Sequence, residues 1–133
     1  NRTYKDKSVK TVNSSDMDLV NTTKSKMGDK PVIVVIKVSK PMIFSEIEPS
    51  ASSILIHMGV QDQALMEIIS GKTEPSGLLP FQMPSNMFTV EAQFEDVPRD
   101  MTAYKDSEDH TYDFAFGLNW SGEIEDARTK KYR

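Results

Sequence analysis

The stretch that decides the fold is residues 30–41, which read KPVIVVIKVSKP. Its centre, residues 32–38, is almost entirely β-branched, and Lys37 is the single interruption. A strand with one face in water alternates apolar and polar residues, whereas this run does not. Pro31 can open a strand and Pro41 ends it, because proline cannot donate to the hydrogen bonds of a sheet. The pattern therefore predicts a strand in the middle of a parallel sheet, with helices covering both of its faces.

Further secondary structure is predicted around this strand. Residues 14–27, closed by Gly28, predict a helix with aspartates in its first turn and lysines in its last. Residues 53–57 (SILIH) predict a second buried strand, and residues 62–70 predict a second helix. The buried stripe of this second helix is predicted to comprise Ala64, Leu65, Ile68 and Ile69. The alternation of strands and helices favours the α/β class.

The second half of the chain is less regular. Residues 89–94 (TVEAQF) alternate with period two, which is typical of an edge strand or an extended arm. Residues 114–120 (FAFGLNW) are rich in aromatic side chains and are expected to dock on the core. Residues 121–133 are polar and end in basic residues, so a solvated tail is predicted there.

The composition limits the classes of function. A chain of 133 residues with a formal net charge of −4 gives no reason to expect a nucleic-acid or membrane-surface partner. The chain has no cysteine, which excludes disulfides, cysteine nucleophiles and thiolate metal sites. His57 and His110 lie far apart in sequence and have no accompanying ligands, so no metal site is predicted. No Gly-x-Gly-x-x-Gly motif follows a strand, and no cofactor is predicted.

Three motifs follow one another at plausible spacing. The first is the Lys-Pro-Val start and β-branched run of residues 30–38, and the second is GKTEPSGLLPFQMP at residues 71–84. The third is FAFGLNW at residues 114–120. Together these motifs resemble the second, α/β-sandwich domain of family 3 glycoside hydrolases, the β-glucosidase family. Leu78 stands where that family carries a basic residue, which is one departure from its pattern.

The resemblance implies a fold, an activity and partners. The fold is a three-layer α/β sandwich with a mostly parallel sheet, and residues 1–133 would be its incomplete C-terminal portion. The parent protein would be a β-glucosidase-type O-glycosyl hydrolase that cleaves terminal β-linked glucosyl or related residues by a retaining mechanism with two carboxylates. Its partners would be a carbohydrate substrate and an N-terminal barrel domain of the same parent chain. A periplasmic or secreted location in a bacterium is favoured over the cytoplasm.

No catalytic residue is assigned to this chain. In the family, the aspartate nucleophile lies on the barrel domain. The acid/base carboxylate lies on a loop of the sandwich domain upstream of the Lys-Pro-Val strand. None of Asp6, Asp16 and Asp18 stands in a recognisable acid/base motif. The isolated chain is therefore expected to be inactive as a hydrolase.

The candidates for contact with a substrate follow the second predicted strand. The family carries a Pro-Gly-Gln-Glu-Gly-Gly loop there, whereas residues 57–62 read HMGVQD. Ligands of open α/β sheets gather beyond the carboxyl ends of the strands, so His57, Gln61 and Asp62 are the predicted substrate-binding residues. The alternative interpretation is structural: Asp62 caps the following helix, and His57 is a hydrogen-bonded histidine at the end of a strand.

A hypothesis from a different class is a stand-alone α/β domain that binds carbohydrate or regulates another protein without catalysis. Binding of sugar by the isolated chain, followed through its single tryptophan, would separate this hypothesis from the first. An incomplete α/β domain would also expose the edge of its sheet, which leads to the hypothesis of a homodimer formed through that edge.

Overall fold

The computed structural model describes residues 14–94 and 96–132. Asp6 and the rest of the first thirteen residues of the predicted domain lie outside the described residues. The helices are α1 (Ser14–Met27), α2 (Asp62–Ile69), α3 (Met87–Ala92) and α4 (Ala127–Tyr132), with a 3₁₀ turn at Glu48–Ser50. The strands are β1 (Ile33–Lys37), β2 (Ser53–His57), β3 (Leu118–Asn119) and β4 (Gly122–Glu123).

Strands β1 and β2 form a parallel pair, and the prediction of two parallel strands here is confirmed. The register runs from Ile33 opposite Ser53 to Lys37 opposite His57. The pairing is extended at one end by a hydrogen bond of 2.9 Å from the Val38 N–H to the His57 carbonyl. A parallel pair of strands with helix α1 before it and helix α2 after it is compatible with the predicted α/β class.

Within the described residues, β1 is not covered on both faces as the sequence predicted. Ile33 and Val35 are 48% and 39% exposed, while Val34 and Ile36, which alternate with them, are half-buried. Among the described residues β1 has one hydrogen-bonded neighbour, and helix α1 contacts the 3₁₀ turn, where Ser50 donates to Asn21 Oδ1 at 3.2 Å. A β-branched run indicates a strand that gains from burial on both faces. That burial is realised only where other layers cover both faces.

The predicted helices are present, but their apolar stripes are not buried as expected. Gly71 follows α2 with φ +73°, the left-handed conformation that ends a helix. In the stripe of α2, Ala64 is exposed and the other three residues are only half-buried. Leu19 of α1 is also exposed. A stripe of apolar residues marks the side of a helix that neighbouring elements can bury. Within the described residues, that burial is only partial.

The edge strand or extended arm predicted at residues 89–94 is wrong, because most of this segment lies in helix α3. The side chain of Asn86 accepts a hydrogen bond of 3.0 Å from the Thr89 N–H and so caps the helix. Thr89 is buried, and its hydroxyl accepts from the Thr102 N–H at 2.8 Å. A local side-chain cap and a buried hydrogen bond therefore override the alternating pattern.

The largest fully buried side chains lie in a core that segments from the second half of the chain form together with Phe44 from the first half. Phe44 and Met83 are the largest fully buried side chains. We call the ring group formed by Phe44, Tyr104, Tyr112 and Phe116 the aromatic cluster; its rings pack 5.3 to 5.5 Å apart around Tyr112. Met83 is held inside by its backbone, which accepts from the Tyr104 N–H at 2.8 Å and donates to the Tyr112 carbonyl at 2.9 Å.

The second and third sequence motifs meet at a pair of glycines. A Cβ atom added at Gly117 would collide with the carbonyl oxygen of Gly77. Next to this contact, the Leu79 N–H donates a hydrogen bond to the Phe116 carbonyl at 2.7 Å. The expected docking of residues 114–120 is confirmed for Ala115 and Phe116, which are buried, whereas Phe114 and Trp120 at its ends stay exposed.

Beyond Trp120, where the sequence predicts a polar tail over residues 121–133, the structure through residue 132 has strand β4 and helix α4. Ile124 and Thr129 are buried there. Asp126 caps the first turn of α4 by accepting from the Arg128 N–H at 2.7 Å. The Arg128 guanidinium donates to the carbonyl of Ser76 at 2.9 Å and so connects this segment to the second motif. Residues 122–132 therefore extend the packed structure.

Candidate functional site

The loop that carries the predicted substrate-binding residues leaves the carboxyl end of β2. The parallel register places Lys37, the last residue of β1, beside His57. Gly59 turns the chain with φ +101°, and the Lys37 side chain passes over it, with Cε 3.9 Å from the position of a Cβ at that glycine. The structure thus brings together a lysine, a histidine and the start of α2 at one edge of the sheet.

Each predicted residue of this loop has a defined place. The Nδ1 atom of His57 accepts from the backbone N–H groups of Gly59 at 3.3 Å and Val60 at 3.5 Å. Because Nδ1 accepts, the ring proton lies on Nε2, which is the tautomer available to a ligand. Gln61 is the N-cap residue of α2 but makes no side-chain cap hydrogen bond, and Asp62 is the first residue of the helix. Both side chains are exposed beside the N-terminal end of the helix.

A second set of polar side chains, around Glu48 and Asp106, was not predicted from the sequence. The hydroxyl of Tyr104 donates to Glu48 Oε2 at 3.0 Å, and the hydroxyl of Ser107 donates to Glu48 Oε1 at 2.7 Å. Asp106 accepts from the backbone N–H of His110 at 2.9 Å, and its other oxygen lies 3.2 Å from His110 Nδ1. More than fifty residues separate Glu48 from its partners, so no local pattern could reveal this network.

The pKa values of this network indicate a structural role. Burial, and after it the Glu48 carboxylate, raises the pKa of Tyr104 to about 12. Burial and the charge of Asp106 also raise the pKa of Tyr112. Burial alone would raise the pKa of Asp106, but hydrogen bonds from His110 and Glu108 outweigh it and hold that pKa below its usual value. At neutral pH the tyrosines are therefore hydrogen-bond donors and Asp106 is a charged acceptor, so none of them is suited to proton transfer.

An open cleft of about 330 Å³ lies between the hairpin after Tyr104 and helix α4. The side chains that line it are mainly aromatic or charged: Phe114, Tyr132, Arg99, Asp109, Asp113 and Glu123. The Phe114 and Tyr132 rings pack edge to face with centroids 5.9 Å apart. No pattern in the sequence predicts this cleft, because it is formed by segments that pack together only after folding.

Two further kinds of site are absent from residues 14–94 and 96–132. No three histidine, aspartate or glutamate side chains in these ranges are grouped so that they could hold a metal ion. Within the same ranges, no helix has the length and apolar character needed to cross a bilayer.

Comparison with known proteins gives one family match and several relatives. The family model for the Glycosyl hydrolase family 3 C-terminal domain matches residues 4–120, which include all three sequence motifs. The chain is 32% identical over 100 residues to a protein named "Probable beta-glucosidase C" of Aspergillus flavus, covering 75% of this chain and 15% of that protein. It is 32% identical over 90 residues to "Beta-glucosidase C" of Emericella nidulans, covering 68% of this chain and 14% of that protein.

A more distant relative is the "Periplasmic beta-glucosidase/beta-xylosidase" of Dickeya chrysanthemi, 26% identical over 88 residues, or 66% of this chain and 12% of that protein. The chain thus spans about one seventh of the length of these curated relatives. The predicted bacterial source is not supported, because the relatives at 32% identity are fungal. No solved structure matches the chain.

Proposed function

Because this chain belongs to the glycosyl hydrolase family 3 C-terminal domain family, we propose that it supplies the second domain of a β-glucosidase-type enzyme. In the parent protein, a barrel domain would carry the aspartate nucleophile, and the substrate would be a terminal β-linked glucosyl or related residue. The observation that carries this proposal is the family match over residues 4–120 together with relatives named β-glucosidase.

The proposed mechanism needs two carboxyl groups. In retaining glycosidases these groups stand about 5–5.5 Å apart, one as the nucleophile and the other as the acid/base. The described residues offer no recognisable member of such a pair, since Asp16 lies in the first turn of α1 and Asp106 is held in a network with His110. Our proposal therefore places the nucleophile on the barrel domain outside this chain and assigns neither catalytic carboxylate to the described residues.

We further propose that β1 and β2 belong to a wider, mostly parallel sheet in a three-layer sandwich. The exposed apolar side chains on and after these strands support this proposal: Ile33, Val35, Met58, Val60 and Met66. Side chains of this kind gain roughly 1.5–3 kcal/mol each when they are fully buried. Additional strands and helices of the parent domain would provide that burial, and a second copy of the chain would provide it when the chain is isolated.

At the carboxyl edge of this sheet, we propose that His57, Gln61 and Asp62 face the substrate. The Nε2–H of His57 is directed by the backbone hydrogen bonds at Nδ1, which supports a role in binding a sugar hydroxyl. The amide of Gln61 and the carboxylate of Asp62 are exposed on the same loop and offer the donors and acceptors that saccharides require. A periplasmic or secreted location is proposed in addition, supported by the name of the periplasmic Dickeya chrysanthemi relative.

The test compares two products of the same gene. The 133-residue chain is expected to release no chromophore from an aryl-β-glucoside, and the product that includes the upstream reading frame is expected to hydrolyse it. Replacing His57, Gln61 and Asp62 by alanine in the longer product should raise KM more than it lowers kcat. Turnover by the short chain that is lost on changing one of its own carboxylates, or an upstream frame without a barrel, would contradict the proposal.

A further inference from the structure

We propose that the cleft between the hairpin after Tyr104 and helix α4 is a binding site for a neutral saccharide. This inference deepens the proposed function and rests on it for the class of ligand, whereas the site itself is argued from the cleft. None of the residues of the loop after β2 lines this cleft, so its occupancy can be tested separately from the predicted substrate loop.

The aromatic walls of the cleft offer the apolar half of saccharide recognition. Phe114 and Tyr132 are 41% and 47% exposed, and their ring planes meet at 82°. A pyranose ring has a face of C–H groups that can lie against an aromatic ring while its hydroxyls point to the sides. Two half-exposed rings at nearly a right angle form a corner in which one ring can stack against a sugar face and the other can contact its edge.

The polar side chains around these rings offer the hydrogen-bonding half of saccharide recognition. The carboxylate of Asp113 is oriented by the Phe114 N–H, which donates to Oδ1 at 2.6 Å. Asp109 is held by an ion pair of 2.7 Å with Lys105. Arg99 approaches the Tyr132 carbonyl at 3.4 Å and so lies against the end of α4. Carboxylates accept from hydroxyls and a guanidinium donates to them, which is the combination that a polyhydroxylated ligand can satisfy.

Two backbone conformations in the lining support a preformed binding site. Arg99 and Asp109 adopt φ values of +63° and +78°, and both line the cleft. A left-handed conformation costs free energy for a residue with a side chain, and it persists where the surrounding contacts hold it.

The size and charge of the cleft narrow the range of possible ligands further. A volume of about 330 Å³ falls at the small end of the range for ligand sites, which suits one or two sugar rings. Its lining carries the carboxylates of Asp109, Asp113 and Glu123 and the guanidinium of Arg99, and Lys105 pairs with Asp109, so these side chains keep an excess of negative charge. Sugars with a phosphate or carboxylate group would be repelled by this excess of negative charge. The predicted ligand is therefore a neutral mono- or disaccharide.

The experiment is calorimetric titration of the pure 133-residue chain with cellobiose and, in parallel, with glucuronate. Cellobiose is expected to bind, and glucuronate is expected to bind more weakly. Phe114→Ala should weaken cellobiose binding roughly fivefold or more, because it removes one aromatic wall. Asp113→Asn keeps the oxygen that the Phe114 N–H needs and should narrow the difference between the two sugars. Phe88→Ala is the matched control, since Phe88 is 78% exposed on α3 and does not line the cleft.

Circular dichroism of every variant separates loss of binding from loss of folding, and Asp113→Asn provides the test if Phe114→Ala does not fold. No cellobiose binding by the folded chain, equal binding by the wild type and Phe114→Ala, or glucuronate bound as well as cellobiose would each overturn the inference. Binding that is lost only when His57, Gln61 and Asp62 are changed would overturn it too and would place the sugar at the loop after β2. If the longer gene product fails to hydrolyse glucosides, the proposed function fails while cellobiose binding in the cleft remains measurable.

Discussion

Replacing Gly117 by alanine should destabilise the fold, and replacing the glycine that it contacts should not. A Cβ at Gly117 would meet the Gly77 carbonyl oxygen and would also lie 3.1 Å from the Leu78 side chain. A carbonyl oxygen in the backbone cannot swing aside as a flexible side chain can, so the two segments must separate. A Cβ at Gly77, in contrast, meets nothing within 4 Å.

The size of the effect follows from what this separation disturbs. Overpacking a tight contact costs about 1–3 kcal/mol. The same shift strains the hydrogen bonds from the Leu79 N–H to Phe116 at 2.7 Å and from the Ile124 N–H to Gly117 at 2.9 Å, and each such bond contributes about 0.5–1.5 kcal/mol. We therefore expect Gly117→Ala to lower the free energy of unfolding by roughly 2–4 kcal/mol. Gly77→Ala should change it by less than about 1 kcal/mol.

The assay is urea unfolding followed by far-UV circular dichroism, with fluorescence of Trp120 as a second probe. The midpoint for Gly117→Ala should move to lower urea, while the slope stays unchanged and the midpoint for Gly77→Ala stays near that of the wild type. If the two variants unfold at the same urea concentration, the glycine contact does not hold the second and third motifs together.

Three further predictions concern the cap of α3, the Asp106 network and the open strand. Asn86→Ala should lower the free energy of unfolding by about 1 kcal/mol in the same urea assay, because the Thr89 N–H loses its acceptor; an unchanged midpoint would contradict this role. The pKa of Asp106 is lower in the folded state than its ordinary value of 3.8. The Asp106 carboxylate therefore stabilises the fold above that value, and this stabilisation is lost as the pH falls through the folded pKa. Asp106→Asn should therefore flatten the dependence of stability on pH below about pH 4, and a wild-type slope in that range would count against it. Val35→Lys should reduce self-association of the isolated chain in light scattering, whereas Leu19→Lys on the exposed side of α1 should not; a monomeric wild type at high concentration would disprove the proposed dimer.

Local signals in the sequence were sufficient for the elements that depend on neighbouring residues. Residues 53–57 and 62–69 form the predicted strand and helix, and Gly71 ends that helix in the predicted left-handed conformation. The three motifs also predicted the family correctly. The contact between Gly77 and Gly117 gives a physical reason for a glycine in the third motif, because a Cβ at Gly117 would collide with the second motif.

The burial of whole faces could not be read in the same way. The run of residues 32–38 predicts a strand suited to cover on both faces, yet Ile33 and Val35 are exposed. Residues 89–94 alternate like a strand, but the Asn86 cap and the buried Thr89 hydroxyl stabilise a helix there. In both cases the pattern describes a preference, and contacts with distant segments decide whether it is realised.

The sequence by itself determined the two strands of the parallel pair, the second helix and the three family motifs, since each of these elements depends on residues close together in the chain. Only the tertiary structure decided that Glu48 meets Tyr104, that Gly77 meets Gly117 and that Phe114 and Tyr132 share one cleft. The physical reason is that burial, charge–charge distance and ring contacts are set by the relative positions of segments that lie far apart in sequence. Periodicity and capping act over a few residues and carry no information about those positions.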